Sequence, residues 1–68
     1  MPGSLNIGSN TIIGARCIIN NGVIGDNVYI GDNVTIEPNC IIGDNSYIES
    51  NSFLEAGTII PENTRWSG

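Results

Sequence analysis

Residues 24–35 read IGDNVYIGDNVT, which is one six-residue pattern written twice. Each unit has isoleucine first, glycine second, aspartate third, asparagine fourth, valine fifth and a variable residue sixth. A helix would need apolar residues about 3.6 apart, and an ordinary strand alternates for only a few residues. The first positions continue along the chain at the six-residue spacing, with one shorter step: Ile7, Ile13, Ile19, Ile24, Ile30, Ile36, Ile42, Ile48, Leu54, Ile60 and Trp66. A fixed period of six predicts a parallel β-helix.

Each unit predicts a four-residue strand followed by a corner. Residues two apart share one face of a strand, so the small fifth residue and the large first residue of the next unit would point inward, and the sixth residue outward. The third and fourth positions would form the corner. The fourth position is mostly asparagine, which tolerates a positive φ at low cost. Three corners per coil would give a triangular prism of about three coils, stacked roughly 4.8 Å apart.

One unit is a residue short. Residues 19–23 read INNGV, so one position is missing between Ile19 and Ile24. If Val23 pointed inward, two consecutive side chains would point into the core, which a pleated strand does not allow without a bulge. We therefore expect the unit to have lost a corner residue, which leaves Gly22 inward and Val23 outward.

Length and composition limit the organisation of the chain and its partners. Sixty-eight residues allow one domain, and we expect residues 1–6 to be a lead-in and residues 7–68 to form the β-helix domain. The net charge of −5 argues against nucleic acid and anionic membranes as partners. No stretch is apolar enough to span a bilayer, and no basic-then-apolar leader opens the chain. We therefore expect a cytoplasmic protein.

The predicted register assigns outward residues to the three sides of the prism, which we call face one, face two and face three. They are Val23, Ile41 and Ile59 on face one, Ile12, Tyr29, Tyr47 and Arg65 on face two, and Ile18, Thr35 and Phe53 on face three. On face one, Gly25, Gly43 and Pro61 flank the aliphatic column, and the glycines would leave the surface flat. A contiguous apolar patch of this kind marks a protein contact, although aliphatic residues also suit any β surface. On face two, a stack of tyrosines would either stabilise the sheet or contact a partner.

The chain offers little for catalysis or for metal binding. It contains no histidine, the usual general base, and no serine or cysteine has a candidate activating partner. Asp26, Asp44 and Glu62 form an acidic column, but three carboxylates in a line do not enclose an ion such as Ca²⁺, and aspartate also suits a corner. Cys17 and Cys40 occupy small inward positions and are expected to fill the core. We expect no enzyme activity, no cofactor and no metal.

The repeat resembles the left-handed parallel β-helix (hexapeptide repeat) superfamily from Ile7 to Gly68. This resemblance implies an all-β fold with a left-handed coil, although right-handed crossovers are the general preference. The best-known members are bacterial acyltransferases, which use a catalytic histidine, and γ-class carbonic anhydrases, which bind zinc through three histidines. The chain has no histidine, so neither activity carries over.

Within that superfamily, the chain is similar to the dynactin subunit 5 family, whose members are pointed-end subunits of dynactin. The five-residue unit falls in the same place, within residues 17–25, where the family has a small residue at Gly22 and a polar one at Val23. The ending also matches, because residues 66–68, Trp-Ser-Gly, align with an aromatic residue followed by Ser-Gly. The family's earlier coils and its tail after Ser-Gly have no counterpart in these residues.

The resemblance implies a non-catalytic scaffold that docks other protein subunits, a second β-helix among them, in dynein adaptor and cargo attachment. The protein would then be cytoplasmic and associated with the cytoskeleton. The residues that we expect to bind partners are Val23, Ile41 and Ile59 on face one, and Tyr29 and Tyr47 on face two. The alternative is a truncated or inactive acyltransferase, or a γ-carbonic-anhydrase-like protein, whose histidine lies outside these residues or in a partner.

Overall fold

The computed structural model describes residues 5–67, which form eleven strands and no helix. Most strands contain only the sixth and first positions of the repeat and are therefore shorter than the four residues we predicted. Their bounds are β1 Leu5–Ile7, β2 Ile12–Ile13, β3 Ile18–Ile19, β4 Gly22–Ile24, β5 Tyr29–Ile30, β6 Thr35–Ile36, β7 Cys40–Ile42, β8 Tyr47–Ile48, β9 Phe53–Leu54, β10 Ile59–Ile60 and β11 Arg65–Trp66. Within the described part of the chain, no helix exists that is long and apolar enough to cross a membrane.

The strands belong to three parallel sheets, which are the three predicted faces. Face one contains β1, β4, β7 and β10, face two contains β2, β5, β8 and β11, and face three contains β3, β6 and β9. Neighbours in a sheet come from successive coils, so Ile30 pairs with Ile48 on face two and Ile36 pairs with Leu54 on face three. The fold is therefore a parallel β-helix of about three coils, and the prediction from the six-residue period is confirmed.

The interior is a stack of apolar residues at the first and fifth positions. The buried apolar side chains are Ile24, Val28, Ile30, Val34, Ile36, Cys40, Ile42, Ile48, Leu54 and Ile60. Small polar residues in the same stack bond to backbone carbonyls. Ser46 Oγ donates to the carbonyl oxygen of Pro61 at 3.1 Å, and Ser52 Oγ donates to that of Glu49 at 2.6 Å. Because these hydroxyls are hydrogen-bonded, their burial costs little.

The corners contain residues in the left-handed backbone conformation, as the asparagine column predicted. Among the described residues, φ is positive at Asn10, Asn27, Asn33, Asn39, Asn45, Asn51, Asn63 and Gly57. Arg16 occupies the same corner position, with a φ of 59°, and we did not predict this. Its side chain donates from Nε to Asn33 Oδ1 at 2.9 Å, so a contact to the next coil accompanies the unfavourable backbone conformation.

The pairing of β4 with β7 confirms the register proposed for the short unit. Gly22 pairs with Cys40, and Val23 pairs with Ile41. Val23 is exposed, whereas the following residue, Ile24, is buried. The short unit therefore keeps the alternation of inward and outward residues.

The missing residue is the left-handed one. At a complete corner, the backbone N–H of the fourth residue donates to the third residue of the preceding coil, as Asn33 does to Ala15 at 2.9 Å. Asn39 makes the corresponding bond to the carbonyl oxygen of Asn21 at 2.8 Å. Asn21 thus stands in the third position, and its φ is not positive. The corner before β4 has no residue in the left-handed conformation.

The first strand begins inside the predicted lead-in. β1 starts at Leu5, which pairs with Gly22 of β4, whereas we assigned residues 1–6 to the lead-in. Residues 1–4 of that segment, and Gly68 at the end of the predicted domain, lie outside the described residues.

Candidate docking surface

An apolar column runs along the outside of face one. Val23, Ile41 and Ile59 are 44%, 45% and 68% exposed. Strand pairing places Val23 beside Ile41 and Ile41 beside Ile59, so three neighbouring strands bring the predicted residues together. Asn6 pairs with Val23 and extends the column with a polar residue, which we did not predict because Asn6 was assigned to the lead-in. None of these four side chains is ionisable.

Glycines make the strip beside the column flat. Gly25 follows β4 and Gly43 follows β7. A Cβ on Gly25 would lie 2.9 Å from the backbone nitrogen of Asp44, and one on Gly43 would lie 2.7 Å from the Cα of Glu62. Such close stacking of backbone on backbone requires glycine. The strip therefore carries no side chains that would block the approach of a partner to the column.

A shallow hollow lies on the opposite side of the column. Its walls include Asn21 and Asn39 at the corner, together with Val23 and Ile41. Asn21 Nδ2 donates to Asn39 Oδ1 at 3.1 Å, so a hydrogen bond links the two side-chain amides. The hollow coincides with the corner that has no left-handed residue. The short unit therefore gives this edge of face one a different corner backbone and a shallow hollow.

A column of exposed carboxylates borders the glycine strip. Asp26 Oδ1 accepts the backbone N–H of Ser9 at 2.8 Å, and Asp44 Oδ1 accepts that of Asp26 at 2.8 Å. These bonds join successive coils, which gives aspartate a structural role at this corner. Glu62 continues the column without such a bond. The described residues contain no cluster of His, Cys, Asp and Glu that could hold a metal ion.

The carboxylates around face one have no basic partner within residues 5–67. Glu37 follows β6 and Glu55 follows β9, so both carboxylates lie at the ends of face-three strands. The one ion pair of the described residues is on face two, where Arg65 Nε lies 2.7 Å from Glu49 Oε2. The border of face one beyond the glycine strip is therefore negative, while the centre of the face is apolar and uncharged.

Face three does not present a comparable column. Ile18 and Phe53 are exposed, but Thr35 lies between them and is only half-buried. Two apolar residues are thus separated by a hydroxyl. Of the two faces, face one has the longer unbroken run of apolar side chains.

The comparison with known proteins identifies the repeat. The family described as bacterial transferase hexapeptide (six repeats) matches residues 21–56, which are 36 of the 68 residues. The chain belongs to the bacterial transferase hexapeptide family. No curated protein and no solved structure matches the chain. The predicted membership of the hexapeptide-repeat superfamily is confirmed.

The matched part of this hexapeptide-repeat protein contains most of the candidate surface. Val23 and Ile41 lie within residues 21–56, as does the short unit from Asn21 onward, whereas Ile59 lies beyond them. In this chain the repeat is defined by its inward and corner positions, whereas the outward sixth position varies. The docking surface is thus a feature of this chain's own variable positions.

Face two of the hexapeptide-repeat protein carries the predicted tyrosine stack. The rings of Tyr29 and Tyr47 lie 4.8 Å apart between centroids, with an interplanar angle of 11°. The guanidinium carbon of Arg65 lies 5.5 Å from the centroid of the Tyr47 ring. These contacts stabilise the outside of the sheet by a few tenths to about 1 kcal/mol per pair. A structural role accounts for both tyrosines, and their contact with a partner stays a prediction.

The two cysteines of the hexapeptide-repeat protein point into the prism. Cys40 is buried and Cys17 is half-buried, and both are free thiols. Cys17 Sγ donates to the carbonyl oxygen of Gly31 at 3.0 Å, and Cys40 Sγ donates to that of Glu55 at 3.1 Å. Both thiols thus fill fifth positions, where other units have serine, threonine or valine.

Proposed function

We propose that this hexapeptide-repeat protein is a non-catalytic scaffold subunit that binds other proteins through face one. The observation that carries the proposal is the exposed, uncharged column of Val23, Ile41 and Ile59 beside a strip of glycines. Buried apolar area contributes roughly 25 cal/mol per Å² before the cost of association. Three adjacent aliphatic side chains on a rigid sheet can therefore support a specific contact.

The resemblance of the sequence to the dynactin subunit 5 family supports a more specific form of the proposal. That similarity rests on the five-residue unit within residues 17–25 and on the Trp-Ser-Gly ending at residues 66–68. On this basis the protein serves as a pointed-end type of subunit in dynein adaptor and cargo attachment. Its partners are other protein subunits, including a second β-helix. It is located in the cytoplasm, in association with the cytoskeleton.

The side chains present support a scaffold more than an enzyme. The 68 residues contain no histidine, and both thiols are hydrogen-bonded inside the prism. The carboxylates of Asp26 and Asp44 each use one oxygen to join successive coils. A general base positioned beside a nucleophile, which acyl transfer requires, is not found among the described residues.

The second candidate is a part of an acyltransferase or of a γ-carbonic-anhydrase-like protein. The name of the family, bacterial transferase hexapeptide, favours it. In that case a histidine from sequence beyond these residues, or from a partner, would complete the site. A longer gene with a histidine in an earlier coil and an extruded loop would support this candidate.

Affinity purification from the native source tests the scaffold proposal. The wild-type chain is compared with Ile41→Asp on face one and with the matched control Ile18→Asp on face three, both at exposed outward positions. We expect wild type and Ile18→Asp to retain the same co-purifying proteins and Ile41→Asp to lose them. Retention of those proteins by a folded Ile41→Asp variant would refute docking through face one.

A further inference from the structure

We infer that the occupant of face one is a basic amphipathic helix lying along the axis of the β-helix. The inference rests on the proposed docking function and adds the chemistry and the orientation of the partner. It follows from the spacing of the apolar column, from the glycine strip beside it and from the charge of the border beyond that strip.

The spacing of the column matches a helix better than a strand. Successive coils are roughly 4.8 Å apart, so Val23 and Ile59 are separated by roughly 10 Å along the axis. Residues i, i+4 and i+7 of a helix lie on one face, with a rise of about 1.5 Å per residue, and span about 10.5 Å. Same-face residues of a strand are about 6.7 Å apart. The side chains of a strand along the axis would therefore no longer align with the column after the first contact. A helix can contact all three side chains.

The open backbone beside the column accommodates the sides of such a helix. Gly25 and Gly43 have no side chains, and the next coil leaves no room for them. On the opposite side, the hollow is lined by Asn21 and Asn39 together with Val23 and Ile41 of the column. Side chains that flank the helix's apolar stripe can thus reach past the column on both sides.

The carboxylates beyond the glycine strip favour a partner with basic side chains. Asp26, Asp44 and Glu62 lie past the glycine strip. None of them pairs with a basic residue among those described. Lysine or arginine on the flank of the helix that faces the glycine strip would therefore meet unpaired carboxylates, and such complementarity selects partners and speeds association. The net charge of −5 favours a basic partner over a second copy of the chain.

Stapled peptides test the inference on the purified chain. The probe is a helical peptide with leucines at i, i+4 and i+7 and lysines on both flanks. One control peptide has glutamate in place of every lysine, and another has the same composition with leucines at alternate positions. We expect only the lysine helix to bind, with affinity that falls as salt is raised from about 20 to about 300 mM. Backbone amide NMR shifts should change most at Val23, Ile41 and Ile59.

Neutral variants test the acidic border separately from the fold. Asp44→Asn keeps the Oδ1 that accepts the Asp26 N–H but removes the charge, and it is combined with Asp26→Asn and Glu62→Gln. Asp32→Asn is the matched control, because Asp32 Oδ1 accepts the Ala15 N–H at a different corner. We expect the triple variant to bind the lysine helix at least about tenfold more weakly and Asp32→Asn to bind as wild type does. If the triple variant does not fold, Asp44→Asn alone should still weaken binding.

Several results would overturn the inference. Equal binding of the glutamate helix or of the alternating peptide would exclude a basic helix, as would no binding of the lysine helix or no effect of the neutral variants. A wild-type dimer in sedimentation equilibrium that Ile41→Asp makes monomeric would identify a second copy as the occupant. If the triple variant retains the native partners while Ile41→Asp loses them, the inference fails and the docking function stands. If a folded Ile41→Asp retains them, the docking function itself fails.

Discussion

Gly22 pairs with Cys40 across face one, and a Cβ on Gly22 would lie 2.5 Å from the carbonyl oxygen of Cys40. That space admits a hydrogen atom but not a methyl group. Because Gly22 can lie this close to β7, the five-residue unit keeps its strand in register, and the next residue, Val23, points outward. The start of the apolar column on face one therefore depends on this glycine.

Gly22→Ala should destabilise the chain by about 1–3 kcal/mol, as overpacking in a close-packed interior does. The nearest atoms belong to the backbone of Cys40, which cannot rotate away as a flexible side chain would. Chemical denaturation measures the free energy of unfolding. The control is Val23→Thr, an outward β-branched substitution that should change it by less than about 0.5 kcal/mol. An alanine variant as stable as wild type would show that β4 and β7 are not paired in this register.

Ile30→Ala should reduce the free energy of unfolding by about 2–5 kcal/mol, because a cavity would replace a fully buried side chain. This is a large share of the stability of a small domain. Ile12→Ala on the paired strand β2 is the control, since Ile12 is exposed, and it should cost less than about 1 kcal/mol. Similar losses from the two substitutions in thermal or chemical unfolding would contradict the assignment of inward and outward positions.

Asn45 provides a test of the left-handed corners. Its φ is 62° and its side chain is exposed, without a hydrogen bond to the described residues, so backbone conformation dominates the effect of a substitution. Asn45→Gly should change the free energy of unfolding by less than about 0.5 kcal/mol. Asn45→Val should cost at least about 1–2 kcal/mol, because a β-branched residue is strongly disfavoured at positive φ. Equal melting temperatures for the two variants would contradict the corner geometry.

Catalytic assays should give no signal with this chain alone. Acetyl transfer from acetyl-CoA, acetyl-CoA hydrolysis and CO₂ hydration are the reactions to measure, because the hexapeptide-repeat enzymes named above rely on histidine and this chain has none. A preparation of the Ile41→Asp variant controls for contaminating activity. Turnover that follows the purified chain, persists with a chelator and needs no partner protein would refute the non-catalytic proposal.

The sequence predicts the fold well because one period controls every level of the structure. The inward column of isoleucines, the asparagine corners and the three sheets all follow from the spacing of six. The short unit was also predictable, since the alternation of a strand left only one acceptable position for Gly22. The start of β1 at Leu5 was not predictable, because Leu5 is large where the repeat has a small fifth residue, and yet it pairs with Gly22.

The candidate site was only partly predictable. The outward column of face one followed from the register, whereas the function of the carboxylates did not. Aspartate at a corner is explained equally by turn preference and by charge, and only the bonds that Asp26, Asp32 and Asp44 accept from backbone N–H groups of the preceding coil give it a role between coils. The contact of Arg16 with Asn33 likewise depends on a backbone conformation that arginine rarely adopts.

Site-specific photocrosslinking measures docking through face one most directly. A benzoylphenylalanine is placed in turn at Ile41, at Ile18 and at Tyr47, one outward position on each face, and the chain is irradiated in extract of its native source. The account predicts a covalent adduct with a partner protein from position 41 and none from position 18. Adducts from position 18 or 47, with none from a folded variant labelled at position 41, would contradict it.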